Sequence, residues 1–151
     1  MPVVNLNSDI YRDELAGGQV IDAARAKARL YTITGTVSNG AADSQGSTYK
    51  LCELPSNCLV DESTAFDVQN DGYAQIEIGT LTDATALVNV AKAAGNTVSP
   101  KVFGDANHGK ALWEILGLAA DPGGFITLYK HGAAAGAAGA GSMPFRISFL
   151  A

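Results

Sequence analysis

The stretch Asp43-Ser44-Gln45-Gly46-Ser47-Thr48-Tyr49-Lys50-Leu51-Cys52-Glu53-Leu54 runs on through Pro55-Ser56-Asn57 to Phe66-Asp67-Val68, and closes on Ala74-Gln75-Ile76-Glu77-Ile78-Gly79. Short apolar-periodic runs alternate here with clusters of turn-forming residues, and no run has the length and period of a long helix. Ile76 and Ile78 alternate with Gln75 and Glu77, which specifies a strand with one buried face. Pro55 cannot donate to a ladder and marks the end of the strand that begins near Tyr49. Asp43, Ser44 and Ser47 suit a turn, since their side chains bond back to local amides and Gly46 frees the backbone.

Working outward, the same rhythm continues. Tyr31, Ile33 and Val37 alternate with Thr32, Thr34, Thr36 and Ser38 as a half-buried strand, followed by a turn at Asn39-Gly40. Leu59 to Val68 reads as one strand, Asn70-Asp71-Gly72 as a turn, and Phe125–Lys130 and Met143–Leu150 as two further strands. Thr85–Ala94 fits helix or strand, and Val98–Phe103 is short and extended around Pro100. One short α-helix is expected where Leu112, Ile115 and Leu116 fall at i, i+3 and i+4, capped by Asp105 or Asn107 and ended by Gly117. The sum is an all-β antiparallel sandwich with one short helix. It occupies residues 21–151, behind an N-terminal arm or extended segment over 1–20.

Composition bounds the function classes. The 151 residues are 47% hydrophobic and 17% charged, which suits a single domain able to bury roughly 68–70% of its unfolded surface. A formal net charge of −5, with Arg25, Lys27 and Arg29 as the basic cluster, argues against nucleic-acid binding. The N-terminus lacks the pattern of a secretory signal and no apolar run reaches membrane-spanning length, so a soluble chain made in the cytosol is expected. Cys52 and Cys58 flank a turn and read as two thiols of a reducing compartment, although a disulfide across the turn is conceivable.

Catalytic and metal patterns find little support. His108 and His131 stand apart from each other and from the cysteines, and read as surface or helix-end histidines. No Gly-x-Ser-x-Gly occurs, and Asp61, Glu62 and Asp67 show no acid pair for glycoside hydrolysis. Asp67, Asn70 and Asp71 offer oxygen atoms, but their spacing matches no calcium loop. No enzyme, cofactor or metal is expected. The run Gly132–Ser142, nearly all Ala and Gly, reads as a flexible connection or as a loop permitting close backbone approach at a subunit junction. Trp113 lies beside the helical stripe and could cap the sandwich or anchor an interface.

The pattern Asp43-Ser44-x-Gly46-Ser47-x-Tyr49-x-Leu51, then Leu54-Pro55-Ser56-Asn57, then Ile76-x-Ile78-Gly79, resembles small structural proteins of tailed bacteriophages. The placement of Leu112-Trp113-Glu114, Asp121-Pro122-Gly123 and Phe145–Phe149 is also similar to that group. The resemblance implies a jelly-roll capsid decoration, or cement, protein of the virion exterior, synthesised in the host cytoplasm. It covers the chain from about Tyr31, departs at Glu77 and in the Ala-Gly run, and transfers no functional site. The expected partner is the major capsid protein, bound at junctions of the shell, with a homotrimer as the favoured assembly and neither nucleic acid nor membrane involved. Candidate contacts are Val3, Asn5, Leu6, Ile10 and Tyr11 in the arm, Ala134, Gly136, Ala138 and Gly139 in the loop, and Trp113. The alternative is a receptor- or carbohydrate-binding fibre or tail module on the same scaffold, against which the 7% aromatic content weighs.

Overall fold

The computed structural model describes residues 28–93, 96–133 and 136–151. Nine strands and one short helix occupy them: β1 Leu30–Asn39, β2 Thr48–Pro55, β3 Leu59–Val60, β4 Ala65–Asp67, β5 Gln75–Gly79, β6 Val88–Ala91, β7 Thr97–Val98, α1 Leu112–Ile115, β8 Phe125–His131 and β9 Gly141–Leu150. One antiparallel sheet has the order β1-β9-β4-β7, with β3 also paired to β9, and the other has the order β2-β8-β5-β6. The first strand thus pairs with the last, and β2 pairs with β8. Inside these, β4 pairs with β7 and β5 with β6. Nested pairs assigned alternately to two sheets are the double Greek key of a jelly roll. The all-β sandwich with one short helix expected from periodicity is the fold.

The core lies between the sheets. Ile76 and Ile78 from β5, Leu128 from β8, and Met143 and Ile147 from β9 are buried with Leu54, Phe66 and Val68. In β5 the alternation works as expected, with Gln75 and Glu77 only half-buried while Ile76 and Ile78 are fully covered. The register along β1 and β9 is unbroken from Leu30↔Leu150 to Asn39↔Gly141, which fixes the two ends of the sandwich.

Three local expectations are corrected. Leu59–Val68 is two short strands, because Asp61 Oδ1 accepts hydrogen bonds from the N–H of Ser63 at 2.9 Å and from its Oγ at 2.5 Å. Thr64 Oγ1 bridges the break, donating to the Ser148 carbonyl at 2.9 Å and accepting from the Ser148 N–H at 3.0 Å. The helix takes neither Asp105 nor Asn107 as its cap. Asp105 closes its own turn by accepting from the N–H groups of Val102 and Asn107, both at 2.7 Å, and Ala111 stands at the N-cap instead. There Glu114 Oε2 accepts the Ala111 N–H at 2.8 Å, and Gly117, at φ +72°, follows the end. Finally, extended pairing near Pro100 stops at Val98, and of the two readings open for the stretch from Thr85 the strand holds, over Val88–Ala91 as β6.

Gly79 ends the Ile76-x-Ile78-Gly79 triplet for a packing reason. A Cβ there would run into the Asp83 carbonyl and press on the Ala84 and Ala86 backbone, the turn that carries the chain into β6. Gly79→Ala is expected to destabilise the fold by about 1–3 kcal/mol, as overpacking against fixed backbone does. A lower urea midpoint at unchanged m-value checks this, and an unchanged midpoint contradicts it.

Candidate functional site

Chemistry-bearing residues converge at one end of the sandwich, where β8 finishes. Ile126, Leu128 and Lys130 share a face of β8, so the strand period carries a lysine into the interior. Lys130 stands opposite Tyr49 of β2 and Ile78 of β5. Its ammonium nitrogen lies 5.1 Å from the Tyr49 ring centroid and 5.0 Å from that of Tyr73. The two rings meet edge to face at 6.4 Å. Lys130 Nζ contacts Asp71 Oδ2, and both side chains are 0% exposed.

Asp71 is held from several sides. Its Oδ1 accepts the Tyr73 N–H at 2.8 Å, its carbonyl accepts Lys92 Nζ at 2.7 Å, and its own N–H donates to the Val68 carbonyl at 3.3 Å. Neither Asp71 Oδ2 nor Lys130 Nζ has a hydrogen-bond partner among the described residues, so the two atoms meet without hydrogen-bond alignment. Taking a charged lysine out of water costs several kcal/mol, which one carboxylate and two ring faces offset only in part. Burial accordingly drives the Lys130 proton affinity below the usual lysine range, and contact with Asp71 opposes that shift.

A second layer closes over this contact. The Tyr49 hydroxyl donates to Asp43 Oδ2 at 2.5 Å and lies 3.1 Å from the Tyr73 hydroxyl, which is 3.4 Å from the Ser44 carbonyl. Burial, then the hydrogen bond to Asp43, pushes the Tyr49 hydroxyl well above the usual phenol range. Asp43 is held below the usual carboxylate range, first by the Tyr49 O–H and then by the Gly40 N–H. Asp43, Ser44 and Ser47 are the turn residues expected of them, with Ser47 Oγ donating to the Ser44 carbonyl at 2.8 Å. Asp43 in addition anchors Tyr49.

The described part of the Ala-Gly run belongs to the same end. Gly132 N–H donates to the Ser47 carbonyl at 2.7 Å, Ala137 N–H to Asp43 at 2.9 Å, and Ala138 N–H to Gly72 at 2.9 Å. Asn39 Nδ2 donates to the Gly139 carbonyl at 2.9 Å while its Oδ1 accepts the Gly72 N–H at 3.0 Å. A Cβ at Gly72 would strike both the Asn39 side chain and the Gly139 carbonyl. Within the run, Gly132 and Gly141 likewise leave no room for a Cβ, against Ser44 and Tyr73 and against the Asn70–Gly72 backbone, and the described part of the run is anchored by these hydrogen bonds.

Of the sites expected from sequence, Gly136 and Gly139 are half-buried and Ala138 is exposed in this anchored run. Trp113 is half-buried against the core at the other end of the sandwich, where its backbone N–H donates to the Ser56 carbonyl at 3.1 Å. Val3, Asn5, Leu6, Ile10, Tyr11 and Ala134 lie outside the described residues, as does the whole 1–20 arm. His131 is corrected from a surface histidine to a buried strand-end one, its Nε2 donating to the Thr80 carbonyl at 2.8 Å. His108 is exposed and packs edge-on to Phe103, ring centroids 5.0 Å apart. Cys52 and Cys58 are free, their thiols pushed up by burial to about 11 and about 12. Among the described residues no three His, Cys, Asp or Glu side chains gather as a metal site, and no helix is long and apolar enough to cross a membrane.

Sequence reasoning placed Lys130 at the end of a strand and Asp71 in a turn, and missed their meeting. The available signal was the alternation Ile126, Leu128, Lys130, which puts a charge on the core face. No family model, no curated protein and no solved structure matches this chain.

The Tyr49–Asp43 bond carries a pH signature. Because the folded-state pKa of Asp43 is depressed, its contribution is present above the unfolded value near 3.8 and fades as pH falls through the folded value. Tyr49→Phe removes the main cause, so the Tm gap between wild type and variant is expected to be widest at neutral pH and to narrow below pH 3.8. A gap that stays constant across that range contradicts the assignment.

Proposed function

We propose that this chain is a virion structural protein, a capsid decoration protein that binds the outside of a phage shell. In this role it reinforces junctions between copies of the major capsid protein, as a homotrimer. Support comes from the turn and strand residues between Asp43 and Gly79 that resemble such proteins, and from the jelly-roll strand order.

The observation that carries the reading is the end of the sandwich opposite Lys130. Leu30 pairs with Leu150, which also pairs with Leu59, and Pro55 pairs with Phe125. These pairings gather the start of β1, the turn after β2 and the start of β8 at one end. Leu30 is 56% exposed, Tyr31 47% and Phe125 71%. Large apolar side chains left in water at one end of the sandwich suit a contact surface. Contacts that are individually weak gain from repetition around a symmetric shell.

Wild-type protein mixed with capsids lacking it is expected to co-sediment with them, and its failure to do so contradicts the function. Leu30→Ser combined with Phe125→Ser is expected to lower the bound fraction at least tenfold, a loss of about 1.4 kcal/mol or more, with little change in Tm. Full retention by this variant contradicts the choice of surface.

A further inference from the structure

The geometry points to a covalent modification within the chain: an amide cross-link between Lys130 Nζ and Asp71 Cγ, formed by the protein itself with loss of one water. This inference stands on the buried cluster alone and does not depend on the function proposed above.

The two oxygens of Asp71 have different surroundings. Oδ1 accepts the Tyr73 N–H at 2.8 Å, as the carbonyl oxygen of an amide would. Oδ2 is buried, lies against Lys130 Nζ and takes no hydrogen bond from any described residue. Lys130 Nζ is equally without a hydrogen-bond partner there. Buried ions that persist as ions need further hydrogen bonds to satisfy the remaining protons and lone pairs, and an ammonium brings three protons to this one oxygen. An amide removes the mismatch. It keeps one oxygen, already bonded to Tyr73, and one N–H, which faces the rings of Tyr49 and Tyr73. The atom that has no partner is the atom that leaves.

The reaction balances with these two side chains and nothing else. One proton passes from the ammonium to Asp71 Oδ2, which leaves a neutral amine facing a neutral carboxylic acid. The amine lone pair attacks Cγ, and the electrons of the C=O bond move onto Oδ1, where the Tyr73 N–H stabilises the developing charge. A second proton moves from the nitrogen to Oδ2. Collapse of the intermediate reforms the C=O bond and breaks the bond from Cγ to Oδ2, which departs as water. Burial favours the first transfer, because desolvation lowers the proton affinity of Lys130. Fixed geometry supplies the proximity: Lys130 sits on a strand paired on both sides, and the Asp71 backbone is hydrogen-bonded to Val68 and Lys92. The Tyr49 and Tyr73 rings screen the contact from solvent, and so from hydrolysis.

The test is the intact mass of the denatured, reduced protein with its N-terminus established. The wild-type chain is expected to be one water lighter than its sequence. Trypsin should then yield residues 51–92 joined to residues 111–146, with no cleavage after Lys130. Asp71→Asn is expected to form the same amide by expelling ammonia, and so to reach the same final mass as wild type. Lys130→Arg and Asp71→Ala are expected to keep their full sequence masses. Because the decisive reading is on the wild-type chain, the test does not require those two variants to fold. A wild-type mass equal to that of the full sequence, with separate tryptic peptides, overturns the inference.

Discussion

The contact between Lys130 and Asp71 is the point on which this structure turns. A β-sandwich this size could fill the face of β8 with three aliphatic side chains, and Ile126 and Leu128 supply two of them. The third position carries a lysine, whose buried nitrogen requires a polar contact and ring faces against it. That requirement explains the two tyrosine rings, the buried turn at Asp71 and the Asp43 carboxylate behind Tyr49. It also accounts for glycine at 72, since the turn must press against Asn39 and the Gly139 carbonyl to bring Asp71 inward. Segments far apart in sequence, at 43–47, 70–73, 132–133 and 136–142, are thereby tied into one closed end.

The two ends of the sandwich differ in kind. One is sealed by polar bonds between backbone segments, and the described part of the Ala-Gly run is in the seal. The other carries α1 and Trp113, and leaves Leu30, Tyr31 and Phe125 in solvent. In that division the Asp43–Gly79 stretch supplies both the lock, through Asp43, Tyr49, Asp71 and Tyr73, and the core face, through Ile76 and Ile78.

Much of the fold was legible because period-two alternation is local. The strands around Tyr31–Val37, Tyr49–Leu54, Ile76–Ile78 and Phe145–Phe149 each declare a buried face through their own residues. What was not legible depended on side chains competing with the backbone. Asp61 breaks one apparent strand into β3 and β4 by binding Ser63, and Asp105 spends its carboxylate on its own turn instead of capping α1. The site was harder to read because it needs partners from distant segments. The alternation in β8 could have placed Lys130 inside, but only the tertiary structure brings Asp71, Tyr49 and Tyr73 around it. His131 was misread for the same reason, its partner Thr80 lying on another strand connection.

If the Lys130–Asp71 contact holds the closed end together, the amides it gathers should be among the last to open. Hydrogen exchange of the Tyr73, Gly72 and Ser142 N–H groups, which bond to Asp71, Asn39 and Asn70, reads this directly. The account predicts exchange only through global unfolding, at the same protection as the Ile76 and Ile147 amides of the core strands. Exchange of those three amides at rates typical of surface loops, while the core strands stay protected, would contradict it.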